Sequence, residues 1–327
     1  MRVGLPGQAR YRNARVAMRA RAVKILLGLA GSAALVVMTV AALAQGVPRP
    51  AQEQRAQIGA PGKTPGSPLP QGAFELVDPK VLRVCADPNN MPFSNSAGEG
   101  FENKIAALLA RELGKTLSFT WYPSSPGFVR RTLAAYRCDL IMGMPQGDDI
   151  VQVTNPYYFT SYALVFTPGH GLDGIETLTD SRLKDKRIGI IAGTPPATNL
   201  VLDGLMAKAK PYPLVVDTRY DSSTIAMMQD IADGSIDAGV LWGPLAGYYA
   251  KQAKSPVTVV PLLKEPNGPR MHYRIGMGVR YSDQEWKREL NRLIKVKQAD
   301  ITVLLQDYGV PLLDESEHLI VPTARNP

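Results

Sequence analysis

Residues 81–93 read Val81-Leu82-Arg83-Val84-Cys85-Ala86-Asp87-Pro88-Asn89-Asn90-Met91-Pro92-Phe93 and indicate the architecture of the whole chain. The apolar and β-branched residues up to Ala86 predict a short strand, and the polar residues after it predict a loop. The next segment predicts a helix that ends at Gly114, because apolar residues recur at helical spacing: Phe101, Ile105, Leu108, Leu109 and Leu113. A strand, a loop and a helix in this order predict the opening unit of an α/β fold.

The alternation of strand-like and helical segments continues along the chain. Strands are predicted at 116–122, 138–144, 162–166, 187–192, 214–216, 238–241, 257–262 and 274–279. Helices are predicted from residue 128, from Pro195 or Pro196, at 223–232 and at 283–307. Strands that alternate with helices favour mainly parallel sheets with helices on their faces.

The formal charge of +8 is concentrated at the start of the chain. Seven of the 37 Lys and Arg residues precede Ile25 with no acidic residue among them, which leaves 30 basic against 29 acidic residues beyond that point. The rest of the chain is therefore nearly neutral, and no nucleic-acid partner is expected.

Residues 1–44 have the pattern of an export signal. A basic segment precedes an apolar run from Ile25 to Leu43, and Ala42-Leu43-Ala44 is a small-x-small cleavage pattern. The alternative is a retained membrane anchor, because the run approaches the ~20 residues that span a bilayer. Cleavage is favoured because the chain turns polar at Gln45, so membrane contact is expected only through an uncleaved signal. Residues 45–73, rich in Pro and Gly, predict a flexible spacer.

The Cys and His content favours a disulfide over a metal site. Cys85 and Cys138 form an even pair in an exported chain and are candidates for a disulfide, with two unlinked buried thiols as the alternative. His170, His272 and His318 are scattered and lack the spacing of metal ligands. We therefore predict no metal and no cofactor.

Taken in order, the segments from about Pro79 to Gly309 resemble the periplasmic binding proteins that carry polar amino acids. The matching motifs are Pro92-Phe93, the helix start at Gly100, Asn155-Pro156-Tyr157-Tyr158, and the basic segment and strand that lead to Gly193-Thr194. The resemblance implies a type II fold with two lobes, each a mainly parallel sheet flanked by helices, around a hinge and a central cleft. It implies a first lobe of residues 74–167 plus 271–327 and a second lobe of residues 168–270.

The type II fold implies which residues lie close together in space, including the two cysteines and the residues of the cleft. Its first and third strands are adjacent, which favours a Cys85–Cys138 disulfide in the first lobe. Ligands of open α/β sheets bind beyond the carboxyl ends of the strands. The candidate cleft residues for a ligand or a partner are Asp87, Asn89, Asn90, Phe93, Thr194, Trp242 and Tyr157. The alternatives are turn formation for Asp87 and the two asparagines, core packing for Phe93 and Tyr157, and helix capping for Thr194.

Two departures from the amino-acid binders bear on the ligand. Those proteins place Thr-x-x-Arg after the third strand, where the guanidinium pairs with the ligand carboxylate, and an aspartate in the second lobe. Here the first position reads Gln146-Gly147-Asp148-Asp149-Ile150, and the second is Trp242. Since both charged anchors are missing, free amino acids are not expected ligands.

A narrower group resembles the chain more closely. It comprises the MoxJ/XoxJ-type periplasmic proteins of methylotrophs, which are encoded beside quinoprotein alcohol dehydrogenases. The resemblance lies in residues 83–95, 98–106, 127–130, 138–140 and 277–280. It implies a periplasmic accessory protein, not an enzyme, that binds a pyrroloquinoline-quinone-dependent methanol or alcohol dehydrogenase during maturation or activation.

Two other functions stay open at this point. The chain could be the substrate-binding component of an ABC transporter for a small solute other than an amino acid. An enzyme of this fold would need an acid/base pair in the cleft. The sequence offers Asp87 with Asp148 or Asp149, without a lysine or histidine beside them, so catalysis is not expected.

Overall fold

The computed structural model describes residues 75–321. The predicted signal segment, 1–44, and spacer, 45–73, lie outside the described residues. Within 75–321, no helix combines the length and the apolar character needed to cross a membrane.

Strands and helices alternate as predicted. The elements up to residue 166 are β1 Val81–Ala86, β2 Asn89–Asn90, β3 Ser94–Asn95, α1 Phe101–Leu113, β4 Thr116–Trp121, α2 Phe128–Arg131, β5 Leu140–Pro145, β6 Gln152–Val153 and β7 Tyr158–Phe166. Those that follow are β8 Ile188–Ile191, α3 Pro195–Leu202, β9 Lys210–Tyr212, α4 Ser223–Ala232, β10 Ala238–Trp242, α5 Gly243–Gln252, β11 Thr258–Pro261, β12 His272–Val279 and α6 Gln284–Asp307. Short 3-10 helices form at Ser181–Leu183 and Met206–Lys208. The predicted α/β class is confirmed.

The strands follow the order β4-β1-β5-β12-β7-β10-β8-β9, with β6 beside β12 and β11 beside β7. The set β4-β1-β5 is parallel and lies within the predicted first lobe, and the set β10-β8-β9 is parallel and lies within the predicted second lobe. Strand β7 connects them, because its first residues pair antiparallel with β12 and its later residues pair antiparallel with β10.

Separate groups of buried side chains stabilise the two parallel sets. Apolar residues of α1 and α6, among them Ile105 and Leu290, pack against β1 and β12. Around the second set, Ile188, Ile190 and Val240 form one cluster, and Met227 of α4 belongs to another. The lobe bounds, 74–167 plus 271–327 and 168–270, stay predictions.

The start of α1 is fitted closely to the loop before it. The amides of Phe101 and Glu102 donate to the carbonyls of Pro92 and Phe93, at 2.8 and 2.9 Å. A Cβ on Gly100 would lie 2.1 Å from the Phe93 carbonyl oxygen, so this position requires glycine. These contacts hold the first turn of α1 against the loop that follows β1.

The structure adds three two-residue strands that were not predicted, β2, β3 and β6, and it differs from the sequence-based expectation in two longer elements. The strand predicted at 214–216 is wrong, because β9 lies at Lys210–Tyr212 and pairs with β8, while Leu214 and Val215 are exposed. Helix α5 was not predicted, because glycines interrupt its apolar pattern. One of them, Gly247, packs so closely on Gly309 that a Cβ would lie 1.8 Å from its carbonyl oxygen.

Candidate functional site

A cavity of about 520 Å³, which we name the cleft cavity, lies where several strands end. The last residues of β1, β5 and β10 all line it: Ala86, Pro145 and Trp242. Pro195, the first residue of α3, completes the side that belongs to the second lobe. The cavity is therefore built by strands of both predicted lobes, at the carboxyl ends where ligands of open α/β sheets bind.

Three aromatic rings, which we name the three-ring wall, form one side of the cleft cavity. The Trp242 ring lies edge-on to Tyr162 and to Tyr273, with centroids 5.0 and 5.8 Å apart, and the two tyrosines are 6.3 Å apart. Burial raises the pKa of Tyr162 to about 12, so its hydroxyl stays neutral at physiological pH. The wall therefore offers apolar ring surface from β7, β10 and β12.

Glu102 contributes a carboxyl group to the same cavity. It lies in the first turn of α1, is partly exposed, and its side chain has no hydrogen bond or ion pair with the described residues. Burial raises its pKa from 4.5 to about 8, because the charged form loses hydration that no partner replaces. None of the residues that line the cleft cavity is a lysine, arginine or histidine.

Asp87, the other acid in the cleft cavity, is held by backbone donors. One carboxylate oxygen accepts from the Asn89 amide at 2.8 Å, and the other accepts from the Ser124 amide at 2.6 Å. Its carbonyl accepts from the Ser94 hydroxyl at 2.8 Å. Asp87 thus shapes the loop after β1 and ties it to the loop after β4, while it also lines the cavity.

The structure brings four of the seven predicted cleft residues to the cleft cavity: Asp87, Asn90, Phe93 and Trp242. Asn89 lines an adjoining cavity of about 420 Å³, which Asn90 shares; we name it the mouth cavity.

Tyr157 and Thr194 line neither cavity. The Tyr157 side chain is only 1% exposed, packs in the core of the first lobe, and accepts a hydrogen bond from the Gly143 amide at 3.1 Å. The Thr194 hydroxyl donates to the Ile191 carbonyl at 2.6 Å and does not cap α3, although Thr194 is the N-cap residue.

Sequence reasoning missed Glu102, Tyr162 and Tyr273. An acid in the first turn of a helix is ordinary, because it interacts favourably with the helix dipole, so Glu102 carried no distinctive signal. The two tyrosines lie in predicted strands, and alternation alone does not tell which face of a strand meets a cavity.

The Cys85–Cys138 disulfide is confirmed, with Cα atoms 5.5 Å apart. Its geometry follows from the parallel pairing of β1 with β5, in which Val84 lies opposite Leu140. The bond pins the end of β1 to the segment just before β5, and Cys85 itself lines the cleft cavity. Within 75–321, no group of three or more His, Cys, Asp and Glu side chains is arranged to hold a metal ion.

Known proteins similar to this chain share the same architecture. Protein-family models give no match. Protein MoxJ of Methylorubrum extorquens is 27% identical over 279 residues, which cover 80% of this chain and 92% of MoxJ.

Two solved structures also match. The periplasmic binding protein XoxJ from Methylobacterium extorquens AM1 is 43% identical with a TM-score of 0.61, and the match covers 72% of this chain and 100% of XoxJ. MxaJ from Methlophaga aminisulfidivorans MPT is 29% identical with a TM-score of 0.62, over 71% of this chain and 100% of MxaJ. Since the similarity to XoxJ extends over that whole protein, this chain belongs to the XoxJ/MoxJ family of periplasmic binding proteins and has the type II fold.

Proposed function

We propose that the protein is a periplasmic accessory factor that binds a pyrroloquinoline-quinone-dependent methanol or alcohol dehydrogenase and assists its maturation or activation. The observation that carries the proposal is the cleft cavity, which is walled by aromatic rings and lined by no positively charged residue. Membership of the XoxJ/MoxJ family supports the periplasmic location and the type of partner.

The cleft cavity argues against transport of free amino acids. A ligand carboxylate needs a cationic partner, which none of the residues that line the cleft cavity supplies, and the Asp87 carboxylate would repel it. The place of the second expected anchor is taken by Trp242, which forms part of the three-ring wall. The cavity is therefore better suited to an apolar or cationic group.

Exposed apolar side chains near the mouth cavity support a protein partner. Leu214 and Ile225 line this cavity and are 59% and 49% exposed. Val215 and Tyr220, from the same stretch of chain, are more than half exposed. A partner that covered these residues would bury apolar surface that now contacts water. Met227, by contrast, is fully buried and offers nothing to a partner.

We propose a binding role and no catalysis. The acid/base pair that the sequence offered does not assemble, because neither Asp148 nor Asp149 lines the cleft cavity with Asp87. The Asp87 oxygens already accept backbone hydrogen bonds, which suits a structural role.

The proposal is tested by affinity capture from a periplasmic extract of the organism that encodes the protein. The exported protein is the bait, an Ile225→Glu variant is the matched control, and bound species are identified by mass spectrometry. We expect a quinoprotein dehydrogenase to be enriched by the native bait and depleted with the variant. Equal recovery by both baits, or no dehydrogenase at all, would contradict the proposal.

A second function is favoured by the size of the cleft cavity. About 520 Å³ lies within the range of small-molecule pockets, so a solute receptor for an ABC transporter is the competing proposal. It predicts that a metabolite, and no protein, is recovered with the native bait.

A further inference from the structure

We infer that the cleft cavity contains an ammonium-binding subsite, in which the Glu102 carboxylate pairs with a primary ammonium group that the three-ring wall encloses. The ammonium group can come from a lysine side chain or chain terminus of a protein partner, or from a free alkylamine. The first source rests on the proposed function, whereas the subsite itself does not.

Glu102 is the acid of the cavity that lacks a partner. The other acid, Asp87, accepts a backbone amide on each carboxylate oxygen, whereas the Glu102 side chain has no hydrogen bond or ion pair with the described residues. The nearby Lys104 ammonium does not neutralise it, because it lies over the Tyr308 ring at 4.9 Å, outside the cleft cavity. A cation supplied by a ligand would therefore meet an unpaired carboxyl group.

The surroundings of Glu102 also suit a cation. Ring faces carry negative electrostatic potential and attract ammonium groups, most strongly when water is excluded. Burial raises the pKa of Tyr158, and the nearby Glu102 carboxylate adds to this effect, which places the two groups close together. Six aromatic side chains line the same cavity as Glu102, namely Tyr158, the three-ring wall, Phe93 and Phe128. An anionic ligand would find no cationic group among these lining residues.

Binding of an ammonium group is expected to release a proton. Because burial raises the pKa of Glu102 to about 8, its carboxyl group is mostly protonated at pH 7 in the empty cavity. The other titratable groups that face it are Asp87, Tyr157, Tyr158, Tyr162 and Tyr273. Burial raises the pKa of all four tyrosines, so they stay neutral between pH 6 and 8. The pH dependence in this range therefore reports on Glu102.

The test uses three probes of the same length: n-hexylamine, n-hexanol and hexanoate. Their binding to the exported protein is measured by ligand-observed NMR at pH 6, 7 and 8. We expect hexylamine to bind best at pH 8 and its affinity to fall by up to about tenfold per pH unit below 8, while hexanol binding stays constant. Hexanoate should bind most weakly of the three at pH 8.

The variant Glu102→Gln removes the charge and keeps the size of the side chain. It should bind hexylamine no better than hexanol, with no dependence on pH between 6 and 8. Should the variant fail to fold, the pH profile of the native protein tests the same claim. Equal binding of amine and alcohol to the native protein at pH 8, a preference for hexanoate, or an unchanged hexylamine profile in the variant would overturn the inference.

The capture experiment distinguishes an ammonium group carried by the protein partner from one carried by a free amine. It also tests the proposed function separately from the subsite. Loss of captured dehydrogenase with Glu102→Gln, or on addition of hexylamine, supports a group carried by the protein partner. Binding of hexylamine without any captured dehydrogenase supports the subsite with a free amine and contradicts the proposed function. A captured dehydrogenase without any preference for hexylamine leaves the proposed function standing and overturns the subsite.

Discussion

The Glu102 carboxylate lies against the α-carbon of Gly143, so that a Cβ at Gly143 would come within 2.5 Å of its Oε1. Gly143 has a positive φ of 71° and lies at a bulge in β5, where the register with β12 shifts. The end of β5 and the first turn of α1 therefore meet at a position that has no room for a side chain.

Gly143→Ala is expected to destabilise the fold by about 1–2 kcal/mol, because alanine is strained at positive φ. It should also displace the Glu102 carboxyl group, since this flexible side chain yields more easily than the backbone. The free energy of unfolding is measured in urea, and hexylamine binding by NMR. The control is Gly147→Ala, at a φ of 90° with no atom within 4 Å of the added Cβ. An equal loss of hexylamine binding in both variants would contradict the displacement.

Glu102 should make stability depend on pH. Its pKa is raised from 4.5 to about 8 in the folded protein, so the folded state holds a proton that the unfolded chain releases. Native stability is therefore expected to fall as the pH rises from about 5 to 8, and Glu102→Gln should lack this component. Urea unfolding at pH 5 and pH 8 measures it. If the native protein and the variant differ in free energy of unfolding by the same amount at both pH values, the pH dependence does not come from Glu102.

Trp242→Ala is expected to reduce capture of the dehydrogenase at least about tenfold, since a buried aromatic anchor dominates the energy of many interfaces. The control is Trp121→Ala, which removes a tryptophan that stacks on Phe119 and does not line the cleft cavity. Circular dichroism checks that both variants fold. If both substitutions weaken capture of the dehydrogenase to the same degree, Trp242 is not a specific contact of the partner.

Replacing Cys85 and Cys138 by serine is expected to lower the free energy of unfolding by about 2–4 kcal/mol, because the disulfide closes a long loop in the unfolded chain. Urea unfolding of the double variant measures the loss. Dithiothreitol should destabilise the native protein and leave the variant unchanged. Equal stability of the oxidised native protein and the variant would show that the disulfide does not stabilise the fold.

Removal of the Asp139 charge should be far more costly than removal of an acid from a surface ion pair. Asp139 is 1% exposed and accepts from both Arg83 and Arg280 at 2.7 Å, so Asp139→Asn removes the salt-bridge partner of Arg83 and one of the two carboxylates, with Asp283, that pair with Arg280. We expect a loss of about 3–5 kcal/mol in urea unfolding. Glu289→Gln, in an exposed pair with Arg292, should cost less than about 1 kcal/mol. Similar losses in the two variants would argue against a buried network.

Most strands and helices could be predicted from the sequence, because their signals are local. The 101–113 helix is marked by its apolar spacing and by Gly114, and the structure ends α1 there. The strand predicted at 214–216 was wrong and helix α5 was not predicted, because tertiary contacts there outweigh the local pattern of apolar residues. Gly247 weakens the helical signal of α5, yet it allows the close packing on Gly309 that holds this helix in place.

The order of residue types along the chain was enough to predict the α/β class, the family and the lack of an arginine after the third strand, because these follow from local patterns. The disulfide pair joins residues 53 apart in the chain and was favoured through the strand order that the family resemblance implies. The set of side chains that share the cleft cavity could be known only from the folded chain. Glu102, Gly143, Tyr162, Trp242 and Tyr273 come from four strands and a helix that are distant in the chain. Their proximity depends on which face each element buries. The raised pKa of Glu102 follows from that burial, so the unpaired carboxyl group could be identified only from the folded structure.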